Sequence, residues 1–167
     1  MFSGKTEELI RRLKRARIAG QHIAIFKPAI DKRYDAHHIV SHDENRFRSI
    51  SVETAHDILS FTSSTEVIAI DEAQFFDEGL TDVAEQLAAN GARVIIAGLD
   101  MDFRGKPFGA MPALLAKADF ITKLHAVCAR CGDRGHFSYR LSDTDTVFLL
   151  GEKEAYEPRC RTCFYNA

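Results

Sequence analysis

Two short stretches and four cysteines hold the residues of this chain best suited to chemistry. Asp71 and Glu72 end the apolar run Val67-Ile68-Ala69-Ile70. A run of β-branched and small apolar residues suits a strand covered on both faces. Ligands of open α/β sheets collect at the carboxyl ends of such strands. Successive strand side chains alternate, so the two acids point different ways. One can serve a metal while the other takes a proton. The pair alone equally fits a strand entering a solvated turn. At the other end, Ser3-Gly4-Lys5-Thr6 forms the back half of a phosphate-binding G-x-x-x-x-G-K-[ST] loop. There, backbone N–H groups and a helix N-terminus cradle phosphate oxygens. Lys5 reaches the β- and γ-phosphates, and the Thr6 hydroxyl holds Mg²⁺. The leading Gly and its strand do not precede Met1 in the sequence as written. The expectation is that this chain binds ATP weakly or folds poorly.

Cys128-Ala129-Arg130-Cys131 and Cys160-Arg161-Thr162-Cys163 are two C-x-x-C pairs. Each fits a tight turn presenting two thiolates to one tetrahedral Zn²⁺, so Cys128, Cys131, Cys160 and Cys163 are the expected ligands. Four thiolates leave no open position for water, which makes the zinc structural. Disulfides are disfavoured in the cytosolic setting argued below.

The elements that must carry these groups alternate strand and helix. Thr6 to Ile18 has a helical pattern, with Glu7 and Glu8 early and basic residues later. His22 to Phe26 reads as a buried strand stopped by Lys27-Pro28. Residues 30–47 are polar and include His37, His38 and His42, with no standard metal spacing. They are expected to form a long flap over a phosphate site. A weak strand at Ser49–Val52 and a short helix at Glu53–Phe61 come before the Asp71-Glu72 strand. A helix is expected from Gly79 to Asn90, a strand from Arg93 to Leu99, a helix from Met111 to Ala118 and a strand from Phe120 to Val127. Phe137–Leu141 and Thr146–Leu150 supply a small ribbon. The fold class is therefore α/β, a mainly parallel sheet flanked by helices, plus a small zinc ribbon. The division falls into 1–126 and 127–167. Asp100 to Gly109 follows a strand end and carries Phe103 and Phe108, which either wrap a planar ligand or tuck into the core.

Composition narrows the function classes. The chain has 167 residues, 46% hydrophobic and 28% charged, as in a globular domain. Lys+Arg is 22 and Asp+Glu is 24, which gives no electrostatic case for nucleic acid or a membrane surface. No apolar run approaches the ~20 residues of a bilayer span. The first residues lack the apolar region of a signal peptide, so the expected location is the cytoplasm.

Phe2-Ser3-Gly4-Lys5-Thr6-Glu7-Glu8-Leu9, Ile70-Asp71-Glu72-Ala73-Gln74-Phe75-Phe76, Gly98 to Gly109 and the paired C-x-x-C stand in one order. That combination, covering essentially the whole chain, closely resembles the zinc-carrying, tetramer-forming class of the thymidine kinase family. The resemblance implies a P-loop α/β domain with a zinc-bearing lasso. It implies transfer of the ATP γ-phosphate to the 5′-hydroxyl of thymidine or deoxyuridine. Ser3, Gly4, Lys5 and Thr6 then match the phosphate and Mg²⁺ positions, and Asp71 the Mg²⁺-associated acid. Glu72 matches the general base, and Asp71 to Gln74, including Ala73, a second nucleotide-contact segment. Arg33, with Asp31, matches a segment near the phosphates, and Arg104 or Arg33 would neutralise the moving phosphoryl group. Met1, Leu99, Phe103, Phe108 and Tyr156 match the walls around the base. Val147, Phe148, Leu149, Leu150 and Gly151 match the lasso strand whose backbone reads the thymine edge. The implied assembly is a homotetramer. Glu152 and Ser138 depart from the usual Gly and Thr.

Two other readings use the same residues. A P-loop ATPase would have Glu72 activate water, but it has no need of a pyrimidine-sized aromatic pocket. A zinc-ribbon nucleic-acid module would use Arg130, Arg134, Arg140, Arg159 and Arg161. It leaves Asp71-Glu72 and Gly4-Lys5-Thr6 without a task.

Overall fold

The protein is seen in a computed structural model that describes residues 1–30, 38–40, 46–141 and 155–166. Its centre is a four-stranded sheet made of β1 (Ile23–Pro28), β4 (Ile50–Val52), β5 (Val67–Ile70) and β6 (Arg93–Ile96). The order is β4-β1-β5-β6 and every pairing is parallel. Phe26 stands beside Ile70, and Ile70 beside Ile96. β5 and β6 therefore end level, β1 runs two residues further, to Pro28, and the three carboxyl ends form one rim.

Strand alternation divides the core in two. Phe26, Ile68 and Ile70 point to one face, where they meet α2 (Leu80–Ala89) through Leu80, Val83 and Leu87, and α3 (Met111–Lys117) through Met111 and Leu114. Ile25, Val67, Ala69 and Ile95 point to the other, against Leu9, Ile10, Leu13 and Ala16 of α1 (Lys5–Ile18). Each such Leu or Ile side chain, buried fully, contributes about 1.5–3 kcal/mol. The apolar spacing of α1 is thus met by a sheet whose period of two supplies the facing set.

The ends of α1 follow its sequence. Gly4 takes a left-handed conformation (φ 73°, ψ 28°) that aims the chain into the helix. Glu7 and Glu8 occupy the first turn, and Arg15 and Arg17 the last, matching the helix dipole. Glu8 also pairs with Arg11 (2.6 Å) and Arg12 (2.8 Å). These two guanidinium groups hold its carboxyl down at about 2.

A small unit follows. β7 (Ala126–Val127) pairs antiparallel with β8 (Arg134–Gly135), and β9 (Phe137–Arg140) with β10 (Tyr156–Arg159), ahead of α4 (Arg161–Tyr165). Aromatic packing stands in for a large core here: Phe137 stacks on Phe164 at 4.4 Å, and the Arg159 guanidinium lies 3.3 Å from the centre of the Tyr139 ring.

Several expectations need correction. The strand expected over Phe120–Val127 forms only at Ala126–Val127. A segment is sheet only where its backbone groups meet a partner. Residues 120–124 instead line the far wall of a groove of about 840 Å³ whose near wall is β6. Phe120 and Ile121 are 92% and 56% exposed there. β1 runs on through Lys27 and Pro28, because Ser51 and Val52 pair with them. β6 stops at Ile96, before the expected Leu99. Part of the flap is ribbon: β2 (His38–Val40) pairs with β3 (Arg46–Arg48). The short helix is a 3-10 turn, His56–Phe61. The rest of the flap, with Arg33, His37 and His42, and the expected strand Thr146–Leu150 lie outside the described residues.

Candidate active site and zinc centre

The rim of strand ends sets the first group of residues. Asp71 follows β5 and shares parity with Val67 and Ala69, so its side chain leaves on the α1 face. There Thr6 Oγ1 stands 3.4 Å from Asp71 Oδ2. Gly4, Lys5 and Thr6 are half-buried at the N-terminus of α1, with Ser3 just ahead. The helix start and the strand end, 65 residues apart in sequence, thus share one corner. Lys27 joins them from β1. It is 4% exposed, and strand parity with Ile25 sends it to the same face. Sequence reading passes over Lys27 as the end of a strand; counting parity from Ile25 would have found it.

Glu72 is placed differently. Its backbone is left-handed (φ 53°, ψ 40°), and its N–H donates to Asp71 Oδ1 at 2.9 Å. Glu72 therefore leaves the strand conformation immediately after Asp71. Gln74 braces it: Nε2 donates to Glu72 Oε2 at 2.5 Å, while Oε1 accepts from Leu99 N at 2.9 Å. Gln74 is 2% exposed, so its amide faces inward across the rim. Ala73, also buried, donates its N–H to Ala97 O at 3.0 Å.

Two glycines make room for that brace. A Cβ on Gly109 would lie 2.4 Å from Gln74 O, and φ there is 51°. A Cβ on Gly98 would lie 3.1 Å from Gln74 Oε1.

The aromatic residues gather around the loop after β6. Phe108 meets Phe75 edge-on at 5.6 Å. Phe103 faces the small unit, where the Arg140 guanidinium lies 3.6 Å from its ring centre, and Arg140 also bonds Tyr156. Met1 lies beside Ser138, to whose Oγ its nitrogen donates at 2.7 Å. Met1 and Leu99 both line the groove beside β6. The structure brings Phe103 and Tyr156 to one place through Arg140, a bridge the sequence reading did not name. In the sequence Arg140 stood out only as one of five arginines around the knuckles. Val147, Phe148, Leu149, Leu150 and Gly151 lie outside the described residues.

The four cysteines converge. Cys128, Cys131, Cys160 and Cys163 have sulfurs all within 4.8 Å of one another, and Cys131 Sγ stands 3.6 Å from Cys160 Sγ. Zinc holding thiolates at about 2.3 Å sets sulfurs about 3.8 Å apart, so the donor set and spacing fit a tetrahedral ion. Burial opposes charge on Cys128, yet backbone groups at Cys160, Arg130 and Cys131 outweigh it and hold the thiol down at about 6. Cys163 is pushed up to about 12 by sharing hydrogen bonds with Cys160 and Cys131. Four neighbouring thiols cannot all ionise unaided, and a cation removes that conflict.

A parallel sheet with a Gly-Lys-Thr helix start and an acid pair at one rim, beside a cluster of four cysteines, defines a P-loop-type α/β protein with a small four-cysteine unit fit for zinc. A family profile described as Thymidine kinase matches residues 1–164. A thymidine kinase of Bacteroides thetaiotaomicron is 58% identical over 167 residues, spanning all of this chain and 84% of the relative. One from Bacteroides fragilis is 59% identical over the same span, also 84% of its length. One from Porphyromonas gingivalis is 57% identical over 164 residues, 98% of this chain and 80% of the relative. The chain belongs to the thymidine kinase family. Among the described residues no helix is long and apolar enough to cross a membrane.

Proposed function

We propose that the chain transfers the γ-phosphoryl group of ATP to the 5′-hydroxyl of thymidine, and of deoxyuridine, to supply monophosphate for deoxynucleotide salvage. Family membership supports the reaction class. The observation that carries the site assignment is the 3.4 Å approach of Thr6 Oγ1 to Asp71 Oδ2, with Glu72 next in the chain and braced by Gln74.

Phosphoryl transfer needs little covalent help; positioning and charge neutralisation do most of it. Lys5 and the first-turn N–H groups of α1, with Ser3 and Gly4, take phosphate oxygens. Thr6 and Asp71 hold Mg²⁺. Their oxygens, 3.4 Å apart, are hard donors of the kind Mg²⁺ takes, and would hold it between the helix start and the strand end. When bound, Mg²⁺ neutralises charge on the phosphate oxygens. Glu72 accepts the proton of the 5′-hydroxyl from within about 2.6–3.2 Å. Asp71, Glu72, Ala73 and Gln74 flank the nucleotide, and Arg33 or Arg104 offsets charge on the moving group. Met1, Leu99, Phe103, Phe108 and Tyr156 enclose the base, while the backbone of residues 147–151 reads its edge. The four cysteines hold a structural Zn²⁺. The chain works as a cytoplasmic homotetramer, divided into 1–126 and 127–167.

The test is ATP turnover with Mg²⁺, with and without thymidine, beside Glu72→Gln. Thymidine-dependent turnover that falls about 10²–10⁴-fold in the variant is expected. Turnover indifferent to thymidine would identify an ATPase and overturn the proposal.

A further inference from the structure

Arg140 lies in β9 directly across from Tyr156 in β10, and it is only 7% exposed. Its Nε and Nη2 both donate to Tyr156 Oη, at 3.2 and 2.5 Å. Its guanidinium carbon stands 3.6 Å from the centre of the Phe103 ring and 5.2 Å from that of Tyr156. One cation therefore touches an aromatic from the loop after β6 and an aromatic from the zinc ribbon. Burying a guanidinium is costly, and an apolar side chain of similar volume would pack this ribbon without that cost. The arrangement uses what only arginine offers: a planar fork that converges on one phenol oxygen and a flat face that lies on a ring.

We propose that Arg140 is the positioning residue of the nucleoside pocket. It fixes the Phe103 ring and the Tyr156 hydroxyl relative to each other, and so sets the width and orientation of the slot the base enters. Phe103 and Tyr156 belong to segments joined by no shared strand ladder among the described residues, and Arg140 contacts both. The same residue links pocket to knuckle. Pairing runs from Tyr156–Arg140 to Arg159–Phe137, and Cys160 comes immediately after. The inference rests on the proposal that Phe103 and Tyr156 wall the nucleoside pocket.

The test uses zinc-loaded full chain and titration calorimetry with thymidine and, separately, with MgATP. Zinc content and melting temperature are read on the same samples. Arg140→Lys keeps the charge and loses the fork. It is expected to weaken thymidine binding about 10–50-fold, leave MgATP binding within about twofold and retain zinc. In a Tyr156→Phe background the same substitution is expected to cost less than about threefold, because the fork has lost its acceptor. Should Arg140→Lys lose zinc, Arg140→Met, which keeps the volume, replaces it with the same expectations. Unchanged thymidine binding in the Arg140 variant, with weakened binding in Tyr156→Phe and Phe103→Leu, overturns the Arg140 assignment alone. Unchanged binding in all three overturns the pocket reading with it. Equal losses for thymidine and MgATP reduce Arg140 to a structural residue and also overturn the proposal.

Discussion

Replacing Gln74 with methionine isolates the brace on Glu72. The side chain is 2% exposed, and methionine fills nearly its volume, so packing loss is small. Two hydrogen bonds go. One, to Glu72 Oε2, has a carboxylate acceptor and is worth about 1.5–3 kcal/mol. The other satisfied Leu99 N–H, whose exposure to an apolar neighbour costs about 1–3 kcal/mol. Partial rescue by water at the half-buried Glu72 lowers the sum, so the expected loss of stability is about 2–4 kcal/mol. For a domain of this size that is on the order of 10 °C in melting temperature. In turnover, a base no longer held in one orientation is expected to cost about 10–100-fold in kcat, with little change in the KM for ATP. A double-mutant cycle makes the reasoning refutable. If Gln74 acts through Glu72, Gln74→Met lowers residual kcat less than about threefold in a Glu72→Gln background. Losses that multiply independently in the cycle, or a Gln74→Met enzyme with normal kcat, would refute the brace.

Three further outcomes follow from the geometry. Chelation of the knuckle, or Cys160→Ser, is expected to unfix β10 and weaken thymidine binding before MgATP binding, with calorimetry and metal analysis as the readouts. Gly109→Ala is expected to destabilise by more than about 2 kcal/mol, since its Cβ would lie 2.4 Å from Gln74 O at a positive φ; a melting temperature within 2 °C of the parent, roughly half a kcal/mol, would contradict that. The Glu8 carboxyl is held down at about 2, first by Arg11 and then by Arg12. A folded value below the unfolded one means stability present above about pH 4.5 and lost as pH falls toward 2. After discounting for solvent screening, Glu8→Gln should cost about 0.5–1 kcal/mol at pH 6, with the gap to the parent closing near pH 2 in acid titrations followed by circular dichroism.

Much of the architecture is legible in the chain. Ile25, Phe26, Ile68, Ala69 and Ile70 form continuous apolar runs that only a strand covered on both faces can bury, and α1 shows its buried stripe directly. The C-x-x-C pairs state their own partners, because one turn with two thiolates needs two more donors to complete a tetrahedral set. What the pattern misses is set by distant segments. Residues 120–124 look like a strand, but strand formation requires a neighbour at ladder distance, and the groove beside β6 intervenes. The resemblance gives Gln74 a place beside the nucleotide, but its buried brace between Glu72 and Leu99 depends on Leu99, Gly98 and Gly109 arriving from the next strand and loop. Arg140 sits in a strand pattern that gives no hint of Phe103, which reaches it from the loop after β6. Lys27 was available to a strict count of parity, yet Pro28 suggested that the strand had already ended.

The left-handed backbone at Glu72 has an evolutionary consequence. A non-glycine residue in that conformation gives up about 1–2 kcal/mol, and glycine would relieve it. If Glu72 is the base proposed above, the position sets durability against turnover: the substitution expected to make the fold more robust is the one that removes the acid. In a lineage released from the need for this reaction, Glu72 should be among the early losses, replaced by glycine or asparagine, while the strand before it and the cysteines persist. A descendant with an intact sheet and knuckle but glycine at this corner would mark a protein that kept its shape and abandoned its chemistry.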